Sequence, residues 1–309
     1  MGRSSADIVR AGRVALVGRP NVGKSTLLNA LVEEPIAITS HHPQTTRDTV
    51  RGVLTRGDAQ FVFVDTPGLH EPRTLLGRRM NEAARRAMRE SDVVVLIVEA
   101  PRGPRHPAAD DSDFAIVGEL PPLPTILAIN KVDRLKDKSV LLPLITSLSE
   151  RHEFAAVVPL SARLADGTER LLDEARSLLP EQPPLFEPDT LSDQSVRLFV
   201  AEFVREQILR QTRQEVPHGT AVAVLRFDES RKIPLIEVAV YVAREPHRKI
   251  LIGANGRMIK SIGIAARVRI ERMLSRKVRL ELRVHHVPGW MDDAAKLREL
   301  GFGEGPDAS

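Results

Sequence analysis

The chain predicts an open, mostly parallel α/β sheet with helices on both faces, followed by a smaller α+β unit. Short apolar runs alternate with helical patterns between residues 13 and about 179, which is how strand–helix–strand crossovers read. Two of those runs, Val93–Val98 and Ile126–Ile129, are apolar throughout, as strands covered on both faces must be. Past a proline-rich stretch the order becomes helix, strand, strand, helix, helix, strand. In sheets of the first kind, ligand loops lie at the carboxyl ends of the strands.

The first strand, Arg13-Val14-Ala15-Leu16-Val17, runs into Gly18-Arg19-Pro20-Asn21-Val22-Gly23-Lys24-Ser25, and a helix over 24–32 follows. This is a G-x-x-x-x-G-K-S phosphate loop in the strand–loop–helix setting it needs. Its glycines let backbone N–H groups turn inward around phosphates, and the helix adds its positive end. Lys24 brings a charge to the β- and γ-phosphates, the Ser25 hydroxyl is placed to ligate Mg²⁺, and Thr26 follows in the same turn. Strands at 50–54 and 61–64 come next. The second ends in Asp65-Thr66-Pro67-Gly68, where a carboxylate can hold Mg²⁺ through water and the Gly68 N–H can meet a γ-phosphate. A helix over 78–90, the strand 93–98 and two proline-rich loops lead to the strand before Asn130-Lys131-Val132-Asp133. The Asp133 carboxylate can accept both the N1–H and the 2-amino hydrogens of guanine, and adenine offers neither. Asn130 would hold the base and its loop, and the Lys131 stem would cover a ring face. Further on come a helix over 139–150, a strand over 157–160, Ser161-Ala162 with a backbone N–H for the guanine oxygen, and a helix over 168–179.

At 309 residues the length suggests about two domains. The prolines of Pro180-Glu181-Gln182-Pro183-Pro184-Leu185-Phe186-Glu187-Pro188 stop a helix and stiffen a connector, so the expected domains are 11–182 and 190–300. There is no cysteine, which excludes disulfides and thiol chemistry and suits a reducing compartment. A signal peptide, a myristoylation site and an apolar run of the length that spans a bilayer are all lacking. A soluble, cytoplasmic chain is expected. Residues 1–182 balance 24 Lys and Arg against 24 Asp and Glu, whereas residues 244–283 set 12 against three. An excess that local points to a polyanion, either nucleic acid or anionic lipid.

The second unit reads as a helix over 192–213, strands over 220–227 and 235–243, a short helix, a turn, a helix and a strand over 277–286. At its turn stands Ile252-Gly253-Ala254-Asn255-Gly256-Arg257-Met258-Ile259-Lys260. Two glycines there let a nucleic-acid backbone approach the peptide chain, with unstacked bases in an adjacent apolar groove. Ile252, Ile259 and Ile262 are the groove candidates; Arg248, Lys249, Arg257 and Lys260 would meet phosphates. Phe199, Phe203, Ile208, Val268, Met273 and Leu274 are read as core at helical spacing. The pairs His41-His42 and His285-His286 are read as surface, and His70 as support for its turn.

The order G-x-x-x-x-G-K-S, D-T-P-G, N-K-x-D, S-A resembles the P-loop GTPases, and within them the Era family. Pro43-Gln44-Thr45-Thr46-Arg47 is similar to that family's first switch segment and Asp65 to His70 to its second. The loop at Gly253 to Gly256 resembles the G-x-x-G of a type II KH domain, although Ala254-Asn255 lacks the usual base. Arg197 to Glu206, Ser261 to Ile264 and Gly289-Trp290 with Asp292-Asp293 extend the likeness. It implies a slow GTPase using GTP/GDP and Mg²⁺, with Lys24, Thr46, Gly68 and Asn21 as the catalytic set. Thr46 rather than Thr45 would ligate Mg²⁺, and Asn21 would hold a K⁺ ion. The position after Gly68, where many GTPases carry a water-orienting Gln, is Leu69. The implied partners are the 3′ end of 16S rRNA and the 30S subunit, under control of the bound nucleotide. A monomer with some peripheral attachment to anionic membrane is expected.

Overall fold

Six strands form the larger sheet of the computed structural model, which describes residues 10–39, 46–47, 49–101, 109–212, 216 and 219–302. They are β1 (Arg10–Val17), β2 (Val50–Arg56), β3 (Ala59–Asp65), β4 (Val93–Glu99), β5 (Thr125–Asn130) and β6 (Ala156–Pro159), in the order β2-β3-β1-β4-β5-β6. All pairings are parallel except β2 with β3. Four helices connect strands of this sheet, α1 (Lys24–Val32), α2 (Leu75–Arg89), α3 (Asp111–Val117) and α4 (Leu141–Ser149), and α5 (Thr168–Leu178) follows its last strand. Alternation along the strands sends Val14, Leu16, Val95 and Ile97 to one core with Leu27, Leu31 and Leu171. Ala15, Val17, Val94 and Leu96 go to the other, with Met88, Leu144 and Leu148. The register sets Leu16 opposite Asp65, Glu99 opposite Asn130 and Ile129 opposite Pro159. The loops that follow these strand ends therefore open at one edge.

Helix α3 falls in a stretch where the apolar pattern announces nothing. Its start is fixed by a capping box instead: Asp110 accepts from the Ser112 N–H at 2.9 Å, and Asp113 accepts from the Asp110 N–H at 3.4 Å.

The connector does not run free after residue 182. Gln182 donates to the Ala11 carbonyl at 2.7 Å. The Gln60 amide, fully buried, accepts from the Leu185 and Phe186 N–H groups at 2.8 and 2.9 Å and donates to the Phe186 carbonyl at 2.8 Å. Val53 N–H donates to the Leu191 carbonyl, Ser192 Oγ to the Arg51 carbonyl, and the Arg51 guanidinium pairs with Asp193 at 2.9 Å. The main break between two compact units accordingly lies between Asp193 and Gln194.

The second unit contains α6 (Val196–Gln211), β7 (Thr220–Asp228), β8 (Leu235–Val242), α7 (Glu245–Ile252), α8 (Arg257–Leu274), β9 (Arg279–His286) and α9 (Ala294–Glu299). Strand β8 lies between β7, antiparallel to it, and β9, parallel to it. Val200, Phe203, Val204 and Ile208 of α6 pack with Ile262, Ala266 and Ile270 of α8 on Ile236, Val238 and Val240 of β8. Two expectations are corrected by helix phase. Ile262, read as a groove residue, has no exposed surface, because the buried seam of α8 runs through 262, 266 and 270. Val268, read as core, is 52% exposed, two positions off that seam. Phe199, Met273 and Leu274 pack at the core's margin. No helix among the described residues is long and apolar enough to cross a membrane.

Candidate functional sites

At the end of β1 the chain turns through Gly18 with φ 148°, Asn21 with φ 65° and Gly23 with φ 106°. A side chain at Gly18 would collide with the Ile97 carbonyl, and one at Gly23 with the Asn130 amide, so both glycines are needed for close approach. Lys24 is buried in the first turn of α1, with Thr26 half-buried beside it. Its ammonium donates to the Gly18 carbonyl at 3.1 Å and the Arg19 carbonyl at 2.7 Å. Burial pulls its pKa down from 10.5 to about 8, against the opposing pull of Asp65. Three oxygens converge next to it. Ser25 Oγ lies 2.6 Å from Asp65 Oδ2 and 2.9 Å from Thr46 Oγ1, and Thr46 Oγ1 is 3.1 Å from the same carboxylate oxygen. Thr45, the alternative to Thr46, lies outside the described residues with His41 to Gln44.

Gly68 approaches the loop so closely that a Cβ on it would sit 2.6 Å from the Pro20 nitrogen. The Leu69 N–H donates to the Gly18 carbonyl at 3.2 Å, and the Leu69 side chain is buried. His70 turns back, with Nδ1 2.8 Å from the Gly68 carbonyl, and its own carbonyl accepts from Asn81 at 2.7 Å. Arg19 does not aim its side chain at the loop. It donates to Asp113 at 2.7 Å and pairs with Asp110 at 2.9 Å, joining the loop to α3.

The Asn130 amide joins three segments. Nδ2 donates to the Val22 carbonyl at 2.8 Å, and Oδ1 accepts from the Lys131 N–H at 2.7 Å and the Ala162 N–H at 2.9 Å. Ser161-Ala162, expected to bring a backbone N–H to a guanine oxygen, here has its Ala162 N–H engaged by Asn130 and its Ser161 N–H by the Asp166 carbonyl at 2.9 Å. Asp133 accepts from Ser161 Oγ at 2.7 Å and pairs with Arg163 at 2.7 Å. The Ser161 hydrogen bond, then Arg163, holds its carboxyl below the ordinary carboxylate range. Lys131 Nζ reaches the Asn21 carbonyl at 2.7 Å and Glu99 at 2.6 Å. Sequence reasoning missed Glu99, Arg163 and the two aspartates on Arg19. Glu99 had one available signal, as the acid that closes an otherwise apolar strand.

In the second unit α7 ends at Ile252, and Gly253 (φ 71°), Asn255 (φ 52°) and Gly256 (φ 74°) make the turn into α8. Ala254 and Asn255 are exposed, and Ile252 and Ile259 half-buried. Several cations of the basic segment are neutralised by ion pairs. Arg267 and Lys277 pair with Glu271, Arg276 with Glu229, Arg279 with Glu281, Arg283 with Glu237 and Arg269 with Glu206. By the G-x-x-G turn, Arg248 pairs with Glu245 at 3.0 Å, but among the described residues exposed Lys249 and Lys260 enter no ion pair, and Arg257 donates to the Ala254 carbonyl without an acidic partner. Of the five cations of residues 244–283 with no acidic partner among the described residues, Lys249, Arg257 and Lys260 therefore stand around the turn, while Arg244 and Arg272 lie away from it. His285 stacks on Tyr241, His286 lies 3.4 Å from Glu245, and among the described residues no three His, Cys, Asp or Glu side chains are grouped to hold a metal.

Comparison with known proteins finds a family match in each unit. Residues 13–131 match the family described as 50S ribosome-binding GTPase, and residues 215–290 match the KH domain. The chain is 42% identical over 292 residues to GTPase Era of Stenotrophomonas maltophilia, covering 94% of this chain and 97% of that one. To GTPase Era of Xanthomonas oryzae it is 43% identical over 294 residues, covering 95% and 97%. Among solved structures it superimposes on Era in complex with MgGDPNP and nucleotides 1506–1542 of 16S ribosomal RNA, with a TM-score of 0.88, 36% identity and coverage of 96% and 99%. Aquifex aeolicus Era bound to GDP·AlF4− gives a TM-score of 0.87 at 36% identity, with coverage of 95% and 99%.

Proposed function

The chain belongs to the Era family of GTPases, and from that premise we propose that it is a ribosome-assembly factor whose grip on the 3′ end of 16S rRNA is set by the nucleotide it holds. The observation that carries the RNA half is the gathering of unpaired charge at the G-x-x-G turn. Lys249, Arg257 and Lys260 face solvent there without an acidic partner among the described residues, while Arg267, Arg276 and Arg279 of the same segment are ion-paired. Arg248, already held by Glu245, contributes less than its neighbours.

On the nucleotide side, Lys24 exchanges the Gly18 and Arg19 carbonyls for β- and γ-phosphate oxygens. The Gly68 N–H, carried against Pro20, meets the γ-phosphate. The residues fit Mg²⁺: two hydroxyls and one carboxylate converge, a hard oxygen set that leaves room for phosphate and water. Ser25 and Thr46 would hold the ion, and Asp65 through water; bound there, it neutralises charge on the phosphates. A K⁺ ion beside Asn21 would add to the same charge; equal hydrolysis rates in K⁺ and Na⁺ would remove that idea. With Leu69 buried where a glutamine would orient water, intrinsic hydrolysis is slow. Asp133 reads guanine after releasing Arg163.

The test is binding of a short 16S 3′-end RNA, against a scrambled RNA of equal length, by protein loaded with a non-hydrolysable GTP analogue. The proposal expects the 3′-end sequence to bind at least about tenfold more tightly. Equal affinity for both would reduce the second unit to a general polyanion binder.

A further inference from the structure

We propose that Glu99 is a positioning residue for guanine-nucleotide binding, acting through Lys131 on both the base-reading loop and the phosphate loop. The inference rests on the reading of Asn130 to Asp133 as that base-reading loop. Glu99 ends β4, opposite Asn130 in the register with β5, and the Ala100 N–H donates to the Asn130 carbonyl at 2.8 Å. Its carboxylate is thereby fixed by backbone pairing at the edge where both loops emerge. One oxygen holds Lys131 Nζ at 2.6 Å and the other meets Arg134 at 3.2 Å. The same ammonium donates to the Asn21 carbonyl at 2.7 Å. Lys131 and Asn21 both stand at positive φ, 69° and 65°; asparagine tolerates this conformation, but a lysine keeps it only when its surroundings hold it. One lysine thus ties the two turns together, and Glu99 aims it. Its partners are partly shielded from water, with side-chain exposures of 19% for Lys131 and 21% for Glu99, so the charge-assisted bond is only partly screened.

The chemistry separates this role from catalysis. Glu99 offers the nucleotide only an anion, which would repel phosphate. Its effect must come through the geometry of binding and not through the chemical step.

The experiment is a double-mutant cycle on the full chain, using Glu99→Gln, Lys131→Met and the pair, read by GDP and GTP-analogue affinity and by steady-state hydrolysis. Glu99→Gln should weaken both nucleotides by about fivefold and raise KM in step, with kcat within about twofold. Glu99→Asp should recover part of the loss, because the flexible lysine stem can follow a carboxylate set back by one methylene. In the Lys131→Met background the Glu99 substitution should add nothing. Unchanged affinity, a fall in kcat at constant KM, or an equal loss with and without Lys131 would each overturn the proposal. If Lys131→Met alone leaves guanine-nucleotide affinity intact, the reading of the base loop has failed instead.

Discussion

Lys24 brings the phosphate chemistry down to a single titration. Its pKa lies near 8 because burial disfavours the ammonium, and in the proposed function a bound triphosphate requires the charge. Affinity for a GTP analogue should therefore fall about tenfold between pH 7 and 9, and a Lys24→Met protein should show a weak, flat profile over that range. The stability of the free protein should move oppositely. Between about pH 8 and 10.5 the unfolded chain keeps a proton on this lysine that the folded chain has lost, so this group makes the fold more stable as pH rises. Below that window both states are protonated and the burial penalty stays constant. Residues such as Lys24, Ser25 and Asn130 were legible because their spacing along the chain is itself the signal. Glu99, Arg163 and Asp113 were not, since each acquires its partner from a segment tens of residues away.

Two features of individual elements decide how firmly the parts are held. Glu206 on α6 is buried and takes Arg269 of α8 on one oxygen and Arg210 on the other, at 2.8 Å for Arg210, while Arg269 lies 4.3 Å over the Phe203 ring. Glu206→Ala leaves a half-buried guanidinium without its acid, and should destabilise the second unit by about 3 kcal/mol in urea unfolding. Gln60 is the corresponding anchor in β3. Gln60→Leu orphans the Leu185 and Phe186 N–H groups and should cost roughly 2 kcal/mol, with more rapid proteolysis of the connector. Strand and helix positions could be read from periodicity, and α1 falls on its expected span. Helix phase was less legible, as Ile262 and Val268 show, because a short apolar set fits more than one face. Prolines announced a connector but said nothing of Gln60, whose bonds fasten it.

Across the whole molecule the claim is that guanine-nucleotide state and RNA grip are linked. The RNA term itself should be electrostatic and local. Lys260→Ala should lower the slope of log affinity against log salt by about 0.7, whereas Arg276→Ala, whose charge Glu229 already neutralises, should leave it nearly unchanged. The family's motifs gave the pairing of a GTPase with an RNA-binding unit; the net basic charge of residues 244–283 did not show which cations are available, because pairing depends on the fold. Linkage is reciprocal, so the most direct measurement is the affinity of a GTP analogue and of GDP with and without saturating 16S 3′-end RNA. The account predicts that RNA shifts the ratio of the two affinities by at least about fivefold, equal to the factor by which nucleotide shifts RNA binding. A ratio unmoved by RNA would contradict it, leaving two activities in one chain with no coupling between them.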